Sequence, residues 1–183
     1  MTRLNWGMIG GGEGSQIGPA HRLGARLDAE FEFVAAALDH RPEPGRAYGR
    51  KLGLAADRSY GDWKEMLAGE IKRADRVDLV TVATPNATHF AITKAFLEAG
   101  FNVLCEKPMA TTMADAEAMV AACDRAGVLY ATAFDQRFHA AHRTLAALIA
   151  EGRLGTVTAI RIVYACWLPA DWATGGAGDN WRI

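Results

Sequence analysis

The feature that most narrows the folding of this chain lies near its start. There the apolar run "LNWGMI" (4–9) passes directly into "GGGEGSQIGPAHR", and a helical pattern follows. Glycines at a strand-to-helix junction let the backbone turn sharply and approach a pyrophosphate. The anion then rests on the helix N-terminus, where unpaired N–H groups and the positive end of the dipole favour it. Gly10 and Gly12 supply the first two positions of such a dinucleotide fingerprint, and Gly14 continues the loop. For the third position there are two candidates: Gly18, six residues beyond Gly12 instead of three, or Ser15 at the usual spacing. In isolation a glycine cluster reads as a flexible turn; its place between the first strand and the first helix gives it weight. Asp39 closes the second apolar run 21 residues after Gly18, where an acid can accept hydrogen bonds from the adenine-side ribose diol. Asp39 favours NAD, because a carboxylate repels a 2′-phosphate. Arg41, two residues on, could instead pair with that phosphate or remain a solvated surface residue, so NADP stays open.

Beyond this loop, apolar runs alternate with amphipathic stretches. "FEFVAAAL" (31–38), "VDLVTVA" (77–83), "FNVLC" (101–105) and "VLYATAF" (128–134) read as strands. Of these, "VDLVTVA" and "FNVLC" are apolar on both faces, as strands covered on each side should be. Ile92, Ala95, Phe96 and Ala99 recur at helical spacing, with Asn86 or Thr88 as the start cap and Gly100 as the stop. Thr112 and Asp115 resemble a capping box opening a helix that buries Met113, Ala116, Val120 and Cys123. Strand–helix alternation with such short connections predicts parallel strands joined by right-handed crossovers, a doubly wound α/β sheet of Rossmann type. After residue 134 the pattern changes. A helix carrying Leu145, Leu148 and Ile149 ends at Gly152, and "TVTAIRIVYACW" (156–167) then reads as one long strand without sequence neighbours to pair with. The expected organisation is a dinucleotide-binding domain over 1–134 and, over 135–183, the start of a truncated α/β domain for substrate binding and oligomerisation.

Several function classes are excluded by composition. Twenty basic against 21 acidic residues, with no long basic run, leave no electrostatic footprint for nucleic acid. Nowhere do about 18 apolar residues run together, so no membrane partner is expected. Cys105, Cys123 and Cys166 show neither metal-ligand spacing nor a disulfide framework, which suits a reducing cytoplasm and no bound metal.

In open α/β sheets ligands bind beyond the carboxyl ends of the strands. Two further strand ends therefore become candidates. One is "ATPNATH", contributing Thr84, Pro85, Asn86 and His89; Asn86 can also serve as a helix cap, and a histidine one turn into a helix can simply be packed or solvated. The other is "CEKPMA", where Glu106 can hydrogen-bond a ribose and Lys107 projects to where a nicotinamide would lie. The succession "GPAH", "ATPNATH", "VLCEKPMA", "FDQRFHAA" and "LIAEGRLGTV" resembles the Gfo/Idh/MocA family, over about residues 4–164. That resemblance implies a Rossmann domain binding NAD or NADP and a C-terminal domain built on a large open sheet. It also implies hydride transfer between nicotinamide and a sugar, cyclitol or related polyol, and a homo-oligomer in the full-length protein. By position it assigns Gly10, Gly12 and Gly18 to the phosphate loop, followed by His21. Thr84, Pro85 and Asn86 fall to the cofactor lining, Glu106 to the ribose, Lys107 to nicotinamide and substrate, and Gln136 with Arg137 to a segment crossing back over the cofactor.

The sequence departs from the family pattern in two places. The glycine loop is about three residues longer than usual. The family's C-terminal Asp with a His four residues later does not occur: "GGAGDNWRI" offers Asp179, read as a loop residue, and the chain ends at Ile183 where that His would fall. Part of the catalytic site is accordingly expected to be missing, and the chain to bind cofactor with little turnover. A dinucleotide-binding sensor without chemistry is the alternative; it accounts for the loop and Asp39 but gives no reason for Lys107.

Overall fold

The computed structural model describes residues 3–163 and Ala165. In chain order the elements are β1 (Leu4–Gly10), α1 (Ile17–Leu27), β2 (Phe31–Ala37), α2 (Pro42–Lys51), α3 (Trp63–Glu70), β3 (Leu79–Ala83), α4 (His89–Glu98), β4 (Asn102–Cys105), α5 (Met113–Ala126), β5 (Tyr130–Thr132) and α6 (Ala140–Ala150). The chain divides into two units between Ala133 and Phe134.

In the first unit the five strands form one sheet in the order β2-β1-β3-β4-β5, and every pairing is parallel. Beyond β2 a single parallel bridge joins Ala36 to Ser59, with the Tyr60 N–H donating to the Ala36 carbonyl at 2.8 Å. With that bridge counted as a strand position, the order matches the two-halved dinucleotide-binding sheets, and it reverses between β1 and β3.

The pleat divides the core in two. Successive strand residues point to opposite faces, so Ile9, Ala35, Ala37, Val80, Val82 and Val103 pack into one apolar cluster. Trp6, Met8, Ala36 and Leu38 form the other. Burial of both faces is why β3 and β4 read as continuous apolar runs in the sequence. The Thr81 hydroxyl, a polar atom inside such a run, accepts the Trp6 indole N–H at 2.9 Å.

Local rules account for most helix ends. The Thr112 hydroxyl accepts from the Asp115 N–H at 3.1 Å, and Gly127 closes α5 with φ +64°. Gly100, φ +79°, follows the last turn of α4. At the start of α4, however, neither expected cap forms. Asn86–Thr88 is a 3-10 turn, and Thr88 holds helical angles at the cap position without a side-chain cap bond. An N-cap side chain reaches back to the first turn from an extended backbone, which Thr88 does not have. Its hydroxyl instead donates to the Pro85 carbonyl at 2.7 Å and lies 2.8 Å from Thr84 Oγ1.

Two further expectations are corrected. The buried residues of α5 are Met119 and Ala122, whereas Met113 and Val120 are exposed, at 74% and 49%. Both stripes are apolar, and the helix period alone does not say which one turns inward. The strand expected over 156–167 is absent from the described part, since 156–163 form no strand. A strand needs a partner for its N–H and C=O groups, and none is present among the described residues of the second unit. That unit contains a 3-10 turn (Asp135–Phe138), with Gln136, and α6, followed by Gly152 at φ +69°. Cys166, Trp167 and Asp179 lie outside the described residues.

Candidate functional site

The carboxyl ends of β1, β2, β3 and β4 lie side by side, and the residues singled out in the first unit sit on them. Gly10, the last residue of β1, stands in register with Ala83 at the end of β3. Its φ of +78° and the proximity of the Ala83 carbonyl leave no room for a side chain. At Gly12 an added Cβ would meet the Leu38 carbonyl at the end of β2.

In the lengthened loop Ser15 and Gly18 take different structural parts. Ser15 N–H donates to the Gly12 carbonyl at 3.1 Å, closing a turn, and Ser15 Oγ accepts from the Gly18 N–H, also at 3.1 Å. Gly18 is the close-approach position: an added Cβ there would strike the Gly11 carbonyl. Ser15 thus ties down one N–H of α1 while Gly18 lets the helix come onto the loop. Gly14, φ +83°, has nothing near its Cβ position and serves the turn rather than the packing. Arg22, one helical turn beyond Gly18, donates to the Gly11 carbonyl at 2.8 Å and stands over the Tyr48 ring. Sequence reasoning passed over Arg22; the available signal was its i+4 spacing from Gly18 on the same helix.

Just past β2, Asp39 is held by Arg41, which donates its backbone N–H and Nε to Oδ1 at 2.8 and 3.1 Å and an NH2 to Oδ2 at 3.0 Å. The side-chain bonds from Arg41, with its backbone bond and charge and a smaller contribution from His40, outweigh partial burial and lower the carboxyl to about 2.

The β4 end continues the ladder through the Glu106 N–H, bonded to the Val82 carbonyl at 2.8 Å. The Glu106 carboxylate is buried. One oxygen lies 2.9 Å from His21 Nε2 on α1, and the other accepts the Lys107 N–H at 3.1 Å. Burial pushes this carboxyl up. The His21 bond and charge, with the N–H and ammonium of Lys107, act the other way and hold it below its usual value. The pair joins α1 to β4 across the reversal point. His21 entered the sequence reading only as a motif position, because its partner lies 85 residues away. Lys107 itself is exposed at the strand end.

His89 differs from the expectation of a residue lining the cofactor. It is fully buried, its Nδ1 2.8 Å from the Pro108 carbonyl and its Nε2 2.8 Å from the Thr84 carbonyl. Both ring nitrogens therefore face backbone, and neither is presented to a ligand. Thr84, Pro85 and Asn86 form the loop that this ring secures. Gln136 belongs to the second unit, where its carbonyl lies 2.9 Å from His142 Nδ1. Among the described residues no group of three or more His, Cys, Asp or Glu is placed to hold a metal ion, and no helix is long and apolar enough to cross a membrane.

A parallel sheet that reverses its order between β1 and β3, with a glycine turn over that point, is the scaffold of a dinucleotide-binding α/β domain. The chain belongs to the oxidoreductase family with an NAD-binding Rossmann fold, GFO_IDH_MocA, whose family model matches residues 4–134. It is similar to the uncharacterized oxidoreductase YfiI of Bacillus subtilis (strain 168), 37% identical over 98% of this chain and 47% of that protein. Similarity to the 1,5-anhydro-D-fructose reductase of Ensifer adhaerens is 37% identity over 90% of this chain and 46% of the reductase. Among solved structures, an inositol dehydrogenase homolog from Azotobacter vinelandii, complexed with NADH and myo-inositol, aligns with a TM-score of 0.82. That alignment is 40% identical and covers 84% of this chain and 41% of the homolog. The chain spans about half the length of the curated relatives it matches.

Proposed function

We propose that the protein binds a nicotinamide dinucleotide across the ends of β1 to β4 and serves hydride transfer between it and a hydroxyl carbon of a sugar, cyclitol or related polyol. The observation that carries this reading is the β4 end, where the buried Glu106, paired with His21, fixes the backbone of Lys107 beside the reversal point. A purely structural turn gives no reason to bury a carboxylate there. Gly10, Gly12, Gly14, Ser15 and Gly18 would hold the pyrophosphate, Asp39 the adenine-side ribose, and Thr84, Pro85 and Asn86 the neighbouring wall. Glu106 has lone pairs left for the second ribose after its two bonds. The nicotinamide, when bound, supplies hydride acceptance or donation. Lys107 orients the substrate oxygen and belongs to the relay that takes its proton. The inositol dehydrogenase homolog with NADH and myo-inositol, and the anhydrofructose reductase, support a polyol or sugar substrate.

Asp39 supports NAD over NADP. Its carboxyl is ionised well below neutral pH, and Arg41 is already engaged by it, so a 2′-phosphate would meet a negative charge whose nearest cation is taken. Titration of the chain with NADH and NADPH, followed by fluorescence, tests the reading. Tighter NADH binding is expected, and Asp39→Asn should narrow the gap. Failure to bind either nucleotide would overturn it.

A further inference from the structure

His89 opens α4 from a completely buried position, yet neither of its ring nitrogens bonds within its own helix. One faces the Thr84 carbonyl at the end of β3, and the other faces the Pro108 carbonyl just past Lys107, each at 2.8 Å. A carbonyl only accepts, so each contact is a hydrogen bond when the facing nitrogen carries the proton. The two carbonyls belong to the loops that follow two neighbouring parallel strands, β3 and β4. Packing alone would be met by an apolar ring; the two polar contacts are what an apolar ring would lose.

We propose that His89 is a positioning residue, which ties the Thr84 loop to the Glu106–Lys107–Pro108 loop and sets the gap in which the nicotinamide end of the dinucleotide is held. The inference rests on the dinucleotide reading of this crevice. His89 touches no ligand; it acts through backbone, by fixing the peptide units on either side of Lys107 and Thr84. The Thr88 hydroxyl, bonded to the Pro85 carbonyl, and the Glu106 carboxylate, bonded to the Lys107 N–H, stiffen each loop separately. The imidazole faces a carbonyl of each.

The test compares the native chain with His89→Leu, which removes both ring nitrogens, and His89→Gln, whose amide still reaches one carbonyl. Amide hydrogen exchange is first read without ligand, at Thr88 and Lys107 in the loops and at Val82 and Val103 in the strands. Loss of the ring's hydrogen bonding to these part-buried carbonyls should speed loop exchange in His89→Leu by about tenfold and leave the strands unchanged. Affinity is then measured for NADH and for ADP, which reaches the glycine turn and Asp39 but not the nicotinamide end. NADH should weaken about tenfold in His89→Leu, with ADP held within about twofold. His89→Gln should fall between native and His89→Leu, and it carries the test if the leucine variant does not fold. Parallel weakening of NADH and ADP, unchanged NADH affinity, or faster exchange throughout the sheet would each overturn the proposal and leave His89 a packing residue. A native chain that binds neither ligand would overturn the dinucleotide reading itself, and the role of His89 with it.

Discussion

Arg41 reaches back two residues to clasp Asp39, and the clasp changes what both side chains can do. The Asp39 carboxyl lies at about 2, chiefly because Arg41 bonds and neutralises its charged form. A depressed carboxyl contributes stability that is fully present above its unfolded value and is lost as pH falls through the folded one. For Asp39 that loss is confined to the acid side of about pH 4, down to about 2. Arg41→Ala is expected to return the Asp39 midpoint toward the ordinary 3.8, read from its carboxyl carbon resonance against pH. A midpoint that stays near 2 would mean Arg41 is not the cause. Lys107 is the other residue on which the proposed function turns. General acid–base participation contributes roughly 10²–10⁴-fold. On the proposed function, Lys107→Ala in a complete enzyme should therefore lower turnover of a polyol or sugar substrate by about that factor in steady-state assays, and a loss under about threefold would make the lysine a bystander.

Between elements, the decisive contact away from the crevice is a buried charge cluster that joins the 3-10 turn Ala56–Arg58 to α3 and the approach to β3. Glu70, completely buried, receives Arg58 in two bonds of 3.1 and 2.7 Å, the Tyr60 hydroxyl at 2.9 Å and the Val77 N–H at 3.0 Å. Removing one partner of a buried pair strands the other charge. Glu70→Ala should accordingly cost about 3–5 kcal/mol in urea unfolding. The exposed helical pair Lys94–Glu98 at 2.7 Å provides the contrast, and Glu98→Ala should cost no more than about 0.5 kcal/mol. Similar losses from the two substitutions would contradict the burial argument. On α1 the element and the site are one: Gly18 brings the helix onto Gly11, and His21 from the next turn reaches Glu106.

For the molecule as a whole, the two units offer proteases very different targets. Residues 4–133 carry a sheet whose ladder bonds occupy the backbone, whereas 156–163 are exposed and in no strand. Limited proteolysis with mass spectrometry should cut within 156–163 well before any site in β1 to β4. Earlier cutting inside the sheet would show that the ladder is less protective than its pairing implies. The sequence by itself determined the parallel α/β class, the glycine turn after β1, and the placement of Asp39 and the Glu106–Lys107 step at strand ends, because apolar periodicity and backbone-restricting residues act over a few positions. Tertiary structure alone decided the inward stripe of α5, the fate of 156–163 as non-strand, and the partners of Glu106 and His89. Each of these depends on which distant groups arrive within hydrogen-bonding or packing distance. His21 and Glu106 are 85 residues apart in the chain and 2.9 Å apart in space, a relation that no local pattern encodes.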